Sequence, residues 1–127
     1  MAKIKKYLGI DWREKRIGLA TADDEVCLAL PLKTVSSLAE VLSVLAEEEI
    51  DVIVMGSPRK MSGEAANNPL WLSFLDQLKE RSGRTVILVD ERLTSLAADS
   101  LEGSAAEKAE RDEIAATLIL QDYLDQN

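Results

Sequence analysis

Histidine is absent from this chain of 127 residues, and cysteine occurs once, at Cys27. Without histidine the chain lacks the commonest general base, the imidazole partner of serine and cysteine nucleophiles, and the ligand of most zinc sites. Any catalysis must therefore rest on carboxylates, lysine or a metal held by oxygen. One cysteine forms no internal disulfide, and Cys27, set in the apolar run 26–30, is expected to be a buried, inert thiol. Long hydrophobic runs are also missing. Apolar stretches fall well short of the roughly 20 residues of a membrane span, and the N-terminus has no apolar signal core, so a cytoplasmic protein with no membrane partner is expected. The length suits one hydrophobic core, and residues 1–127 are read as a single domain. Positive charge is the minority: 15 Lys and Arg stand against 23 Asp and Glu, a net charge of −8. That balance argues against a nonspecific nucleic-acid coat, which draws on many phosphate contacts. Yet Lys3, Lys5, Lys6, Arg13, Lys15 and Arg16 crowd the N-terminal end, leaving room for a local basic face on an acidic body.

Periodicity organises the rest. Segments 7–10, 16–21 and 26–30 read as strands separated by charged breaks, with Pro31 closing the set; connections this short make them antiparallel. Ser37 followed by Glu40 is a capping box, and Leu38, Val41, Leu42 and Leu45 line one face of a helix ending near Glu49. Residues 52–55 form a continuous apolar run stopped by Gly56, Ser57 and Pro58, as in a strand covered on both faces, and 85–89 repeats that pattern. Between them, Asn68 as N-cap, Pro69 at the first helical position and Trp71, Phe74, Leu75 and Leu78 define a helix ended by Ser82 and Gly83. A short helix over 95–101 and a last, well-buried one over 112–124 complete the chain. The fold class is thus α/β: a mixed five-stranded sheet, three antiparallel strands then two parallel ones, flanked by helices.

Asp11 follows the first strand, Glu91 follows the fifth, and Asp112 opens the last helix. Ligands of open α/β sheets gather at strand carboxyl ends, so these three acids are candidates to converge. Two carboxylates about 4 Å apart repel by about 4 kcal/mol at an effective dielectric near 20, which calls for a compensating cation. Mg²⁺ or Mn²⁺ suits oxygen ligands and would support phosphodiester cleavage without histidine. The ordinary alternative for Asp112 is a first-turn acid favoured by the helix dipole.

Residues 8–20 (LGIDWREKRIGLA), 90–95 (DERLTS) and 112–125 (DEIAATLILQDYLD) resemble the YqgF/RuvX family. These proteins have an RNase H-like fold and are described as candidate Holliday junction resolvases and as nucleases maturing the 5′ end of 16S ribosomal RNA. The blocks fall in family order and span nearly the whole chain. The resemblance implies Asp11, Glu91 and Asp112 as metal ligands and catalytic acids, with Lys15, Arg16 and Gly18 matching the KRIG element. Gly56 and Pro58 match its Gly-Leu-Pro turn, with Ser57 between them. It implies Mg²⁺ or Mn²⁺ as cofactor and nucleic acid as partner, structured RNA first and branched DNA second, for a monomer or homodimer. One departure stands beside the first acid: Arg13 occupies a position that is usually glycine, and Glu14 follows it. The loop 59–64 also differs, although it keeps Gly63.

Arg13, Lys15, Arg16, Arg92 and Thr94 are candidate substrate contacts. The bland alternatives are solvated hairpin charges for Lys15 and Arg16, a local ion pair for Arg92 and a helix cap for Thr94. Trp12 should point away from Asp11 by strand alternation and cover the core. A noncatalytic binding module of the same fold is a second functional class. An actin-like ATPase fragment is a third, disfavoured because the chain is too short for a second lobe.

Overall fold

The computed structural model describes residues 4–57, 68–90 and 105–126, with 105–110 described by backbone alone. Among these residues, five strands and three helices follow in the order β1 (Lys6–Trp12), β2 (Ile17–Asp23), β3 (Leu30–Val35), α1 (Leu38–Glu47), β4 (Val52–Ser57), α2 (Pro69–Ser82), β5 (Thr85–Asp90) and α3 (Ala105–Asp125). The strands lie side by side as β3-β2-β1-β4-β5. β1–β2 and β2–β3 are antiparallel, whereas β1–β4 and β4–β5 are parallel. This is the mixed sheet expected from the short hairpins and the helical crossovers. The helix expected over 95–101 lies outside the described residues, as do Pro58 and the loop 59–64.

Strand alternation splits the core into two layers. Leu8 and Ile10 of β1, Ile17 and Leu19 of β2 and Ile53 and Met55 of β4 point to one face, where they meet Val41, Val44 and Leu45 of α1 and Trp71, Phe74, Leu75 and Leu78 of α2. Full burial of each such aliphatic side chain contributes about 1.5–3 kcal/mol. Tyr7, Ala20, Ala22 and Val54 point to the other face, beneath Ala116, Ile119 and Leu120 of α3. Small residues dominate this second face, so α3 lies close upon it. A Cβ on Gly9 would come within 2.8 Å of the Ala116 carbonyl oxygen and of the Leu120 Cβ.

The helix caps form as expected: the Glu40 N–H donates to Ser37 Oγ, and the Leu70 and Trp71 N–H groups donate to Asn68 Oδ1. Three expectations are corrected. The third strand runs over Leu30–Val35 and not over 26–30, because Asp23 Oδ1 accepts from the Val26 N–H and its carbonyl accepts from the Cys27 N–H, folding that apolar run into a turn. Pro31 then sits inside β3, which is tolerated because β3 is an edge strand. Cys27 adopts φ 56° at the end of this turn and is exposed, not buried. β5, read as a buried strand, is the opposite edge and leaves Leu88 44% exposed. Among the described residues no helix is long and apolar enough to cross a membrane.

Candidate active site

The site begins in the β1–β2 hairpin. Asp11 is the second-last residue of β1 and pairs across the ladder with Gly18. Alternation turns its side chain to the α3 face, while Trp12 packs on the opposite face with its ring 6.2 Å from that of Phe74, covering the core as expected. Over Gly18 the backbone of α3 passes so closely that a Cβ there would lie 2.1 Å from the Asp112 carbonyl oxygen. Glycine at this position therefore lets the helix bring Asp112 down beside the Asp11–Gly18 rung. Asp11 and Asp112 are 1% and 4% exposed, the two buried charged side chains among the described residues.

Asp112 does not open the last helix, expected over 112–124, and the first-turn alternative falls with that boundary. The helix starts at Ala105, so Asp112 lies about two turns inside it, too deep for a helix-dipole role. It heads the stripe Asp112, Ala115, Ala116, Ile119 and Leu120, whose spacing is that of one helix face, and all five are buried. A carboxylate on an otherwise apolar, sheet-facing stripe is the signal that a first-turn reading overlooks.

Taking a carboxylate out of water costs several kcal/mol unless a cation compensates. The hairpin supplies two. Arg16 Nε donates to Asp112 Oδ2 at 2.6 Å, and Arg13 Nε to Asp11 Oδ2 at 3.5 Å. The Arg13 N–H donates to the Arg16 carbonyl at 2.8 Å, closing the hairpin that holds both guanidinium groups on this side. These arginine side chains remain 38% and 43% exposed, so each ion pair is sealed by protein on the carboxylate side and open to solvent on the other. Lys15 is exposed at the hairpin tip. Further along α3, Glu113 Oε2 accepts from Thr34 Oγ1 at 3.0 Å, tying the helix to β3 in the row that contains Gly18.

Glu91, Arg92 and Thr94 lie outside the described residues. β5 ends at Asp90, whose partner is Ser57 at the end of β4. Ile10 pairs with Met55 and Met55 with Leu88, so β1, β4 and β5 end at one edge of the sheet, the edge that carries Asp11. Among the described residues no group of three or more His, Cys, Asp or Glu side chains gathers. The donor set, two buried carboxylates without sulfur or imidazole, fits a hard divalent cation and not a soft one.

The family model described as "RuvX: Holliday junction resolvase" matches residues 5–126. The chain belongs to this family. Curated relatives carry the name "Putative pre-16S rRNA nuclease". The protein of Chloroflexus aggregans is 36% identical over 93% of this chain and 92% of its own, and that of Anaeromyxobacter is 37% identical over 94% and 96%. Among solved structures, Thermus thermophilus RuvC in complex with a Holliday junction substrate superposes with a TM-score of 0.60 at 16% identity, over 96% of this chain and 94% of that one. The fowlpox virus resolvase with its Holliday junction DNA superposes at 0.55 and 12% identity, over 95% and 97%. The fold is thus the RNase H-like fold of these resolvases. Within the RuvX family frame the hairpin, Gly18 and α3 are the parts that build the buried acid pair.

Proposed function

We propose that this chain is an endonuclease that cleaves phosphodiester bonds in structured nucleic acid with Mg²⁺ or Mn²⁺, and that its substrate is the 5′ end of precursor 16S ribosomal RNA. The observation that carries this reading is the burial of Asp11 and Asp112 together over Gly18, at the sheet edge where parallel strands end. Residues 1–127 act as one domain in this reading, which the match over 5–126 supports. The rRNA substrate is supported by the names of the curated relatives, and it agrees with a cytoplasmic setting.

Asp11 and Asp112, with Glu91 directly after β5, would hold the cation. When bound, it supplies Lewis-acid activation of water and stabilises charge at the scissile phosphate. The protein's own part is to keep its carboxylates fixed and its phosphate contacts ready. Arg16 fixes the Asp112 carboxylate through a charge-assisted hydrogen bond. Arg13 and Lys15 add positive charge on the solvent side of the acids, where it draws in a phosphate backbone despite the overall −8. Arg92 and Thr94, next in chain to Glu91, are proposed as further backbone contacts.

A second reading, cleavage of four-way DNA junctions, is favoured by the family description and by the two junction-bound structures of the same fold. Symmetric junction cutting needs two active sites related by a two-fold axis, so it requires a homodimer, whereas a monomer suffices for RNA. The test is Mn²⁺-dependent cleavage of a 16S precursor fragment and of a four-way junction by wild type, Asp11→Asn and Glu91→Gln, with molar mass measured by light scattering. Loss of cleavage in both variants is expected. Equal rates in all three would overturn the mechanism, and absence of cleavage by wild type itself would favour a noncatalytic binding module.

A further inference from the structure

The two carboxylate–guanidinium pairs are unequal. Arg16 approaches Asp112 at 2.6 Å, a tight charge-assisted bond, whereas Arg13 stands 3.5 Å from Asp11, at the limit of one. The looser pair faces the more deeply buried acid, since Asp11 is 1% exposed and Arg13 38%. Both arginines belong to one hairpin, but Arg13 precedes its tip and shares the Asp11 face by strand alternation, two residues along.

A guanidinium and a divalent cation on one carboxylate repel each other, and of two such guanidinium groups the one held more loosely yields first. We infer that Arg13 is a displaceable internal counter-cation. In the metal-free protein it compensates Asp11, and a divalent cation must exchange with it to load the site. Arg16 stays on Asp112 throughout. The displaced Arg13 guanidinium swings to the solvent side of the hairpin, beside Lys15, where a phosphate is its natural partner. Metal loading and backbone binding are thereby linked: a phosphate that holds Arg13 removes the competitor for Asp11, and by reciprocity a bound cation frees Arg13 for phosphate.

This inference rests on the metal reading above, and calorimetric titration with Mn²⁺ alone separates the two. At 3.5 Å, with its guanidinium side open to solvent, the pair is discounted to about 1 kcal/mol, equivalent to about fivefold in affinity. Arg13→Gln should therefore bind Mn²⁺ about fivefold more tightly than wild type, while its metal-free form melts about 4 °C lower. Arg13→Lys, which keeps the charge, should stay near wild type. Lys15→Gln removes the same charge from the same hairpin without touching Asp11 and should change affinity less than twofold. Equal gains in Arg13→Gln and Lys15→Gln would reduce the effect to net charge and overturn the exchange. An unchanged or weaker affinity in Arg13→Gln would also overturn it, while leaving the metal reading in place. Absence of saturable binding in wild type and Arg13→Gln alike would remove both.

Discussion

Replacing Gly18 by alanine tests the geometry of the site with one methyl group. The added Cβ would lie 2.1 Å from the Asp112 carbonyl oxygen, 2.3 Å from its carbonyl carbon and 2.9 Å from its Cβ. The first two obstacles are backbone, so no rotamer change relieves them. Ordinary contact begins near 3.4 Å, and α3 must therefore recede by about 1.3 Å at Asp112. Overpacking of this kind costs about 1–3 kcal/mol, and the backbone clash puts Gly18→Ala near the upper end. For a domain of this size that lowers the melting temperature by about 10 °C. The functional effect should be larger, because a displacement of about 1 Å at a reacting centre costs on the order of 100-fold in rate. Gly9→Ala is the matched control: its Cβ meets the Ala116 carbonyl oxygen and the Leu120 Cβ at 2.8 Å, requiring about half the displacement, one turn further along the helix. Circular-dichroism melting combined with Mn²⁺ titration below the melting transition would resolve the two effects. Gly18→Ala should lose stability and metal affinity together, and Gly9→Ala mainly stability. A Gly18→Ala protein with wild-type melting and wild-type Mn²⁺ affinity would refute the claim that this glycine seats Asp112.

Three further outcomes follow from particular contacts. A double-mutant cycle of Arg16→Gln and Asp112→Asn should give a coupling energy of about 1 kcal/mol in urea unfolding, a figure discounted for the 43% exposure of Arg16; zero coupling would make the 2.6 Å contact energetically silent. The Tyr7 hydroxyl donates to Asp24 Oδ1 at 2.6 Å, and this bond, followed by burial, raises the phenol above its ordinary 10.0. A raised folded-state value stabilises fully below pH 10 and is lost as the pH climbs beyond it, so wild type should lose stability above pH 10 more steeply than Tyr7→Phe; parallel curves would contradict this. Cys27 is exposed and should react stoichiometrically with a thiol reagent in the native protein, whereas protection until denaturation would contradict the turn at 24–27.

How much of this was legible in the sequence depended on whether the deciding interaction was local. The caps at Ser37 and Asn68 are set by side chains two or three residues from the groups they bind, and both helices begin where the pattern places them. The two-layer strands β1 and β4 announce themselves as near-continuous apolar runs. The run 26–30 misleads because its turn is made by a side chain outside it, Asp23, and because an edge strand accepts the proline that seemed to close the set. The start of α3 was readable from residues 105–111, AAEKAER, which are good helix formers. Asp112 drew attention away from them because an acid at a helix start is so common. The pairing of Asp11 with Arg13 follows from strand alternation once both belong to the hairpin. By contrast, the burial of Asp112 depends on Gly18, 94 positions earlier in the chain, and no local pattern reveals which glycine a helix will touch.

Helix α3 carries one acid of the site and, on the same stripe, the residues that close the second core layer. Its docking is thus a condition of folding and, in the proposed mechanism, of chemistry at once. A partly folded chain in which α3 has come away lacks one of the two buried carboxylates. Under the proposed role of Asp112, this arrangement would act as a safety interlock: nascent, heat-damaged or proteolysed molecules would lose their cutting power no later than they lose their core.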